Sequence, residues 1–509
     1  MALRTTLITM ILPLLGSACQ VISVRENLDH CTYNEGDRYC AEIDPDRPYC
    51  TQGDDECRLG GYTGCVAEVA PECHAPCGTL SDAECMGGSS SGTDTGPASE
   101  SGSESGSSSG SESSTTGPMP CVGNEDCPDA AAPFCEPVSG ECVACDAIGA
   151  EGDAACAGLD PMAPLCVNGE CVACTPENPA VCDEQLLLCD EDSNTCIQCT
   201  EHAQCGSGAC ELAMGRCFPE DFVVHVDGDG GQDYMTIAAA VNAVDDGTHG
   251  VIVVHEIDGS GSYQTAGGLL IDGGKTIALL AAPSEEPAIQ GTGGNPGLQV
   301  TGAGTSVYID GLSVAGNTMG LGLRVDGAFA WVDRSRLVQN TGGGVVAQNS
   351  AELTLRNCFV GGSFDDARAL EVNGATANVL YSTLGGGTFN ASALTCTAPV
   401  AVDVRNSILV TRGGSPPDEV ACPAANVTYS AAEGAIGGAG NVAVGMFPGG
   451  SPGDWFAGYT TGDLHLQNSG LTLFADIAQW QSGDPITDID GNLRPSVDGT
   501  ADHAGADVP

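Results

Sequence analysis

Lysine occurs once, at Lys275, and with arginine it makes only 15 basic residues against 68 acidic ones, a formal charge of −53. A field of that sign repels phosphates and anionic headgroups, which excludes nucleic acid as a partner and excludes electrostatic adhesion to a membrane. Aromatic residues are only 5% of the chain, leaving few stacking platforms for a long saccharide cleft. After the N-terminal segment no apolar run reaches the roughly 20 residues that a bilayer-spanning helix needs. What the 509 residues hold instead is 72 Gly and 28 Cys. That balance predicts a mainly β, turn-rich chain braced by disulfides, and one that acts as a monomer.

The chain opens "MALRTTLITMILPLLGSAC", one charge followed by a short apolar run and small residues, the pattern of an export signal over 1–18. "LGSAC" resembles a bacterial lipobox, which would place a diacylglyceryl group on Cys19, although Gly16-Ser17-Ala18 also suits ordinary signal peptidase and both cut the same bond. Cysteine parity favours the lipid. Without Cys19, residues 31–85 hold eight cysteines and residues 121–217 hold sixteen, both even. The expected location is the outer membrane or cell surface through a lipid anchor, with secretion as the alternative.

Residues 19–85 form a first cysteine-rich module, too short to bury much core, in which disulfides take the place of packing. His74 in "ECHAPC" suggests zinc, but an exported chain favours disulfides there. Residues 86–120 are almost all Gly, Ser, Thr and Glu and predict a disordered linker. From 121 to 220, "ECVAC", "ECVAC" and "TCIQC" mark a fourfold repeat of four cysteines, so that each Cys-x-x-Cys is the seam between two units. Pairing within a unit stays open, since four cysteines allow three connectivities. These repeats resemble the cysteine-rich repeats of myxobacterial surface proteins.

In residues 221–430, "VYIDGLSV", "AWVDRSRL", "LTLRNCFV", "ANVLYSTL" and "VDVRNSIL" align on Ile309, Val332, Leu355, Val379 and Val404, at intervals of 23, 23, 24 and 25. A second strand follows in each coil, as at Leu323 and Val325 or Val345 and Ala347. Strands stacked about 4.8 Å apart would bury these residues in columns. The opening, with a strand, a Thr236-Ile237 helix start and the turn "GSY", resembles the N-terminal cap of the pectin-lyase-like proteins. The resemblance implies a single-stranded right-handed parallel β-helix of about eight coils. Residues 431–509 match the closing segment of bacterial β-helix surface proteins at Asp488, Asp490, Gly491, Arg494, Pro495, Gly505, Ala506 and Asp507.

The chemistry is thinner than the architecture. "WVD" at 331–333 resembles the Trp-Ile-Asp-His strand of family 1 pectate lyases, yet Arg334 stands where that strand has His. Strand alternation around buried Val332 predicts Trp331 and Asp333 as exposed rungs. Asp365 and Asp366 offer an acidic pair, but no Gly-His-Gly, Asn-Thr-Asp or Arg-Ile-Lys accompanies them, so a turn is expected. Asp333, Asp365 and Asp366 are therefore weak catalytic candidates, and no catalytic residue is assigned. Asp227, Asp229 and Asp233, and separately Asp488 and Asp490, could hold Ca2+ through oxygen ligands, with tight Asp/Gly turns as the alternative; no other cofactor is expected. His225, His255 and His465 show no partner pattern. Cys396 and Cys422 share one column in consecutive coils and should join, while Cys358, between Ser335 and Ser382, should stay a buried thiol. The expected function is a non-catalytic surface protein binding an extracellular glycan or another surface ligand; the alternative is a polysaccharide lyase or hydrolase on the same scaffold.

Overall fold

Each unit of four cysteines between Cys121 and Cys217 closes on itself. The first cysteine joins the third and the second joins the fourth: 121–135 and 127–142, 145–166 and 156–171, 174–189 and 182–196, 199–210 and 205–217. The third and fourth cysteines face each other across a short antiparallel hairpin, as Cys135 and Cys142 do between Phe134–Glu136 and Glu141–Val143. Each disulfide ties that hairpin back to the preceding loop, and Phe134 of the first unit packs with Cys145 and Cys156 of the second in a buried core no larger than these. No Cys-x-x-Cys is a bonded pair.

The computed structural model describes Cys40, Tyr49–Cys50, Cys65–Val66 and residues 120–127, 131–136, 138–259, 261–361, 367–387, 391–411, 419–445 and 455–509. The signal segment, Cys19, the linker and most of the first module lie outside them. Residues 1–114 and 115–509 form separate compact units. In the first, Tyr49–Cys50 pairs antiparallel with Cys65–Val66, and Cys40 and Cys50 are both buried and each is disulfide-bonded.

From Val223 to Ala443 the chain winds as a parallel β-solenoid whose coils stack into sheets of nine, nine and seven strands. The first sheet carries the anchors: Ile309, Val332, Leu355, Val379 and Val404 lie side by side, fully buried, and Val427 continues the column. The third sheet holds the second strand read from the sequence, including Leu323–Asp326 and Val345–Gln348. Between them lies a sheet that the sequence pattern concealed. One residue, two places after each anchor, bends the chain from the first sheet into the second: Gly311, Arg334, Asn357, Tyr381, Asn406 and Tyr429 all have positive φ, from 41° to 72°. A single left-handed residue turns the strand without a loop, so the two strands read as one. Three of the six, Arg334, Tyr381 and Tyr429, are neither Gly nor Asn; the neighbouring coils hold them there, at about 1–3 kcal/mol each.

Just past the bend runs a column of small side chains. Ser335 Oγ accepts the Leu312 N–H, Ser382 Oγ that of Cys358, Ser407 Oγ that of Ser382, and Ser430 Oγ that of Ser407. Cys358 occupies the same column, its thiol 3.4 Å from Val332 O and 3.2 Å from Arg356 O, and it is the free cysteine among the described residues. Burial pushes its pKa up. Cys358→Ser should therefore complete the hydroxyl column and change the unfolding free energy by less than about 1 kcal/mol in a urea titration. A thiol reagent should label the wild type only after unfolding; rapid native-state labelling would contradict the burial. Cys396 and Cys422, on adjacent coils of the third sheet, are joined with Cα atoms 4.9 Å apart.

The first turn of the solenoid is covered by the helix Ile237–Ala243, whose Thr236 hydroxyl accepts the Ala239 N–H and whose Ile237, Ala240 and Val241 are buried. At the other end strands continue past residue 430, to Val442–Ala443. Two of the three outer faces are covered. Phe218 and Ala209 of the last cysteine repeat pack on Val251, Ala278, Leu280 and Tyr308 of the first sheet. Trp455, Phe456, Tyr459 and Phe474 of the closing segment pack on Val338, Phe359, Tyr381 and Ile408 of the second. The scarce aromatic residues are concentrated at these two seams.

Candidate functional site

Alternation along the first sheet does direct Asp333 away from the solenoid interior, but it is not an exposed rung: it is 2% exposed. Asp310, Asp333 and Arg356 are register partners on three successive strands. The Arg334 guanidinium reaches back to both oxygens of Asp310, and Arg356 places Nε 2.7 Å from Asp333 Oδ2 with Nη2 on the same oxygen. The other oxygen of Asp333 accepts the Arg334 N–H at 3.0 Å. Arg356 lies over the Trp331 ring at 5.7 Å and 4.0 Å from Glu201 of the last cysteine repeat. Burial raises the Glu201 pKa against the pull of Arg356, and burial lowers that of His202, whose Nδ1 accepts the Cys210 N–H. Both oxygens of Asp333 are engaged, and the carboxylate is the ion-pair partner of Arg356. Asp365 and Asp366 lie outside the described residues.

Of the five carboxylates expected to hold calcium, four accept backbone N–H groups. Asp227 accepts the Asp229 N–H, Asp229 that of Asp258, and Asp233 that of His225, so the three brace a loop and do not converge on one point. Asp488, wholly buried, accepts N–H groups of Asp490, Asn492 and Val508 and the Asn492 side-chain amide. It holds a turn. Asp490 faces elsewhere, to Arg336 and to His465 Nε2 at 2.8 Å.

Histidine clusters were invisible in the sequence. His225 Nδ1 meets His255 Nε2 at 3.0 Å, and His255 Nδ1 meets Glu285 at 3.1 Å, because residues one coil apart become neighbours. His465 lies between Asp490 and Asp463, whose hydrogen bonds raise its pKa to about 9. The spacing of Asp463 and His465, two apart on one strand, was the only local signal available.

Among the described residues, no aromatic cluster like those on the first two sheets packs on the outer side chains of the third sheet. None of Gln299, Arg324, Val346, Glu371 and Thr395 in one column, nor Thr301, Asp326, Gln348, Asn373 and Thr397 in the next, is buried. Gln348 and Asn349 donate to Asp326, and Asn373 and Arg368 to Glu371. Among the described residues Arg324 has no carboxylate partner, and its Nε is buried without an acceptor. In a chain of charge −53 that is an unusual vacancy on a cation.

Where the solenoid ends, Glu433 accepts the Thr411 N–H while burial, with the Glu419 charge adding to it, raises its pKa to about 7. A folded-state pKa above the unfolded value gives stability that is complete below about pH 4.5 and is lost as pH rises through about 7. Glu433→Gln should flatten that slope; unchanged pH dependence of the urea midpoint between pH 5 and 8 would contradict the assignment.

A family of unknown function (DUF8331) matches residues 107–223, the stretch that contains the cysteine repeats. Among curated proteins nothing matches the chain. Among solved structures, the pectin methylesterase from Aspergillus niger is similar at 12% identity, over 45% of this chain and 88% of that one, with a TM-score of 0.21.

Proposed function

We propose that this is a non-catalytic, exported surface protein, anchored by a lipid on Cys19, whose solenoid offers its third face to an extracellular glycan or another surface ligand. Many disulfides fit an extracellular setting. The observation that carries the reading is the unequal covering of the solenoid: two faces are packed over, and the third carries open columns of amide, carboxylate and guanidinium groups at strand spacing. Such a ladder suits a repeating polar ligand. Asp333, the best carboxylate for an enzyme, is closed off by Arg356.

The test is a glycan array probed with the mature chain, beside turnover assays on pectic, alginate and glycosaminoglycan substrates with and without Ca2+. Binding that is lost in Arg324→Ala or Gln348→Ala supports the reading. Robust turnover abolished by Asp333→Ala overturns it in favour of a polysaccharide-active enzyme. Fatty-acid labelling that survives Cys19→Ser would remove the anchor from the proposal.

A further inference from the structure

We infer that His465, Asp490 and Asp507 form a binding site for a divalent first-row transition-metal ion of the Zn2+ or Mn2+ class. One ligand atom from each lies within 4.8 Å of the other two, close enough to share an ion with small side-chain adjustment. The three come from separate stretches of the closing segment: the strand Asp463–Leu466, the turn after Asp488, and the last residues of the chain.

The arrangement around them is that of a prepared ligand set. Asp463 takes the Nδ1 side of His465, which directs Nε2 at the carboxylates, the orientation that a carboxylate behind a metal-binding histidine imposes. The Phe359 ring meets the imidazole edge-on at 4.9 Å and limits its rotation. Asp507 is 5% exposed, and its only donor among the described residues is the Leu466 N–H, on Oδ2. Its second oxygen accepts no hydrogen bond among the described residues and is free to take an ion. Charge points the same way. Asp463, Asp488, Asp490 and Asp507 gather about His465 with Arg336 as the nearby guanidinium, an excess of negative charge that a dication would neutralise.

One imidazole nitrogen with two carboxylates is the donor mixture of Zn2+ and Mn2+ sites, whereas Ca2+ takes six to eight oxygens. The ion would take the place of the Nε2 proton and leave at least one position to solvent. It would tie the chain end to the hairpin that packs on the second sheet.

The test uses the full mature protein, oxidised, stripped with EDTA and titrated with Zn2+ by calorimetry and thermal melting. The expected result is one ion per chain and a raised melting temperature, both lost in His465→Ala and in Asp507→Asn. Asp463→Asn, a positioning residue, should weaken the affinity by about ten-fold without removing the site. If His465→Ala fails to fold, Asp463→Asn and the visible absorption of the Co2+-loaded wild type decide instead. No stoichiometric Zn2+ uptake, uptake unchanged in the variants, or an equal response to Ca2+ in wild type and variants overturns the proposal; the last would mark only the acidic surface.

Discussion

Arg494→Ala is expected to lower the unfolding free energy by roughly 3–5 kcal/mol, the range for breaking a buried ion pair from one side. The Arg494 side chain is fully buried. Its Nη1 donates to Asp502 at 3.0 Å and its Nη2 to Gly505 O at 2.9 Å and Asn357 Oδ1 at 3.3 Å, while the guanidinium stacks 4.0 Å above the Tyr381 ring. Asn357 and Tyr381 are two of the left-handed bends, so this one residue locks the closing segment to the corner of the solenoid. Truncation strands the buried Asp502 charge and uncovers the ring. Lysine should not rescue it, because an ammonium cannot fork between three acceptors or stack flat. Urea unfolding followed by the fluorescence of Trp455 and Trp480, buried in the same segment, measures the loss. A change under about 1 kcal/mol would show that the clasp is not closed in solution.

The same corner shows how far the sequence could be read. The anchors were legible because buried Val, Leu and Ile recur at a nearly constant interval, and only stacked coils make that interval physically useful. The second sheet was not, although two residues of turn character follow each anchor, because a one-residue left-handed bend is too short to mark two strands, and Arg334 and Tyr381 do not announce a turn as Gly311 does. The tail motif was recognisable as a pattern, whereas its parts acquire reasons only in the fold. Asp488 satisfies a turn, Arg494 makes the clasp, and Gly505, at φ 93°, lies where a Cβ would come within 2.6 Å of Ile408. Asp333 shows the limit most clearly. Alternation states whether a side chain points into the solenoid, and it is silent on what lies against the outside. Glu201 is in a different module, and nothing local in either stretch predicts that they share a buried network.

That network gives the second large effect. Asp333→Ala should cost roughly 3–5 kcal/mol, because Arg356, 7% exposed, would keep its charge in place with Glu201 at 4.0 Å as its remaining ion-pair partner. Replacing both partners by apolar residues of similar size, Asp333→Leu with Arg356→Met, should recover much of the loss, since it removes the desolvation of two ions along with their attraction. The double-mutant cycle, read from urea midpoints, measures the coupling, and a single Asp333→Ala variant of unchanged stability would refute the buried pair. The cycle also separates structure from catalysis. If Asp333 serves the fold, ligand binding should fall in Asp333→Ala only as far as stability falls, and should return in the apolar double variant. Activity that disappears in both variants while the double variant regains its stability would assign the carboxylate a chemical task.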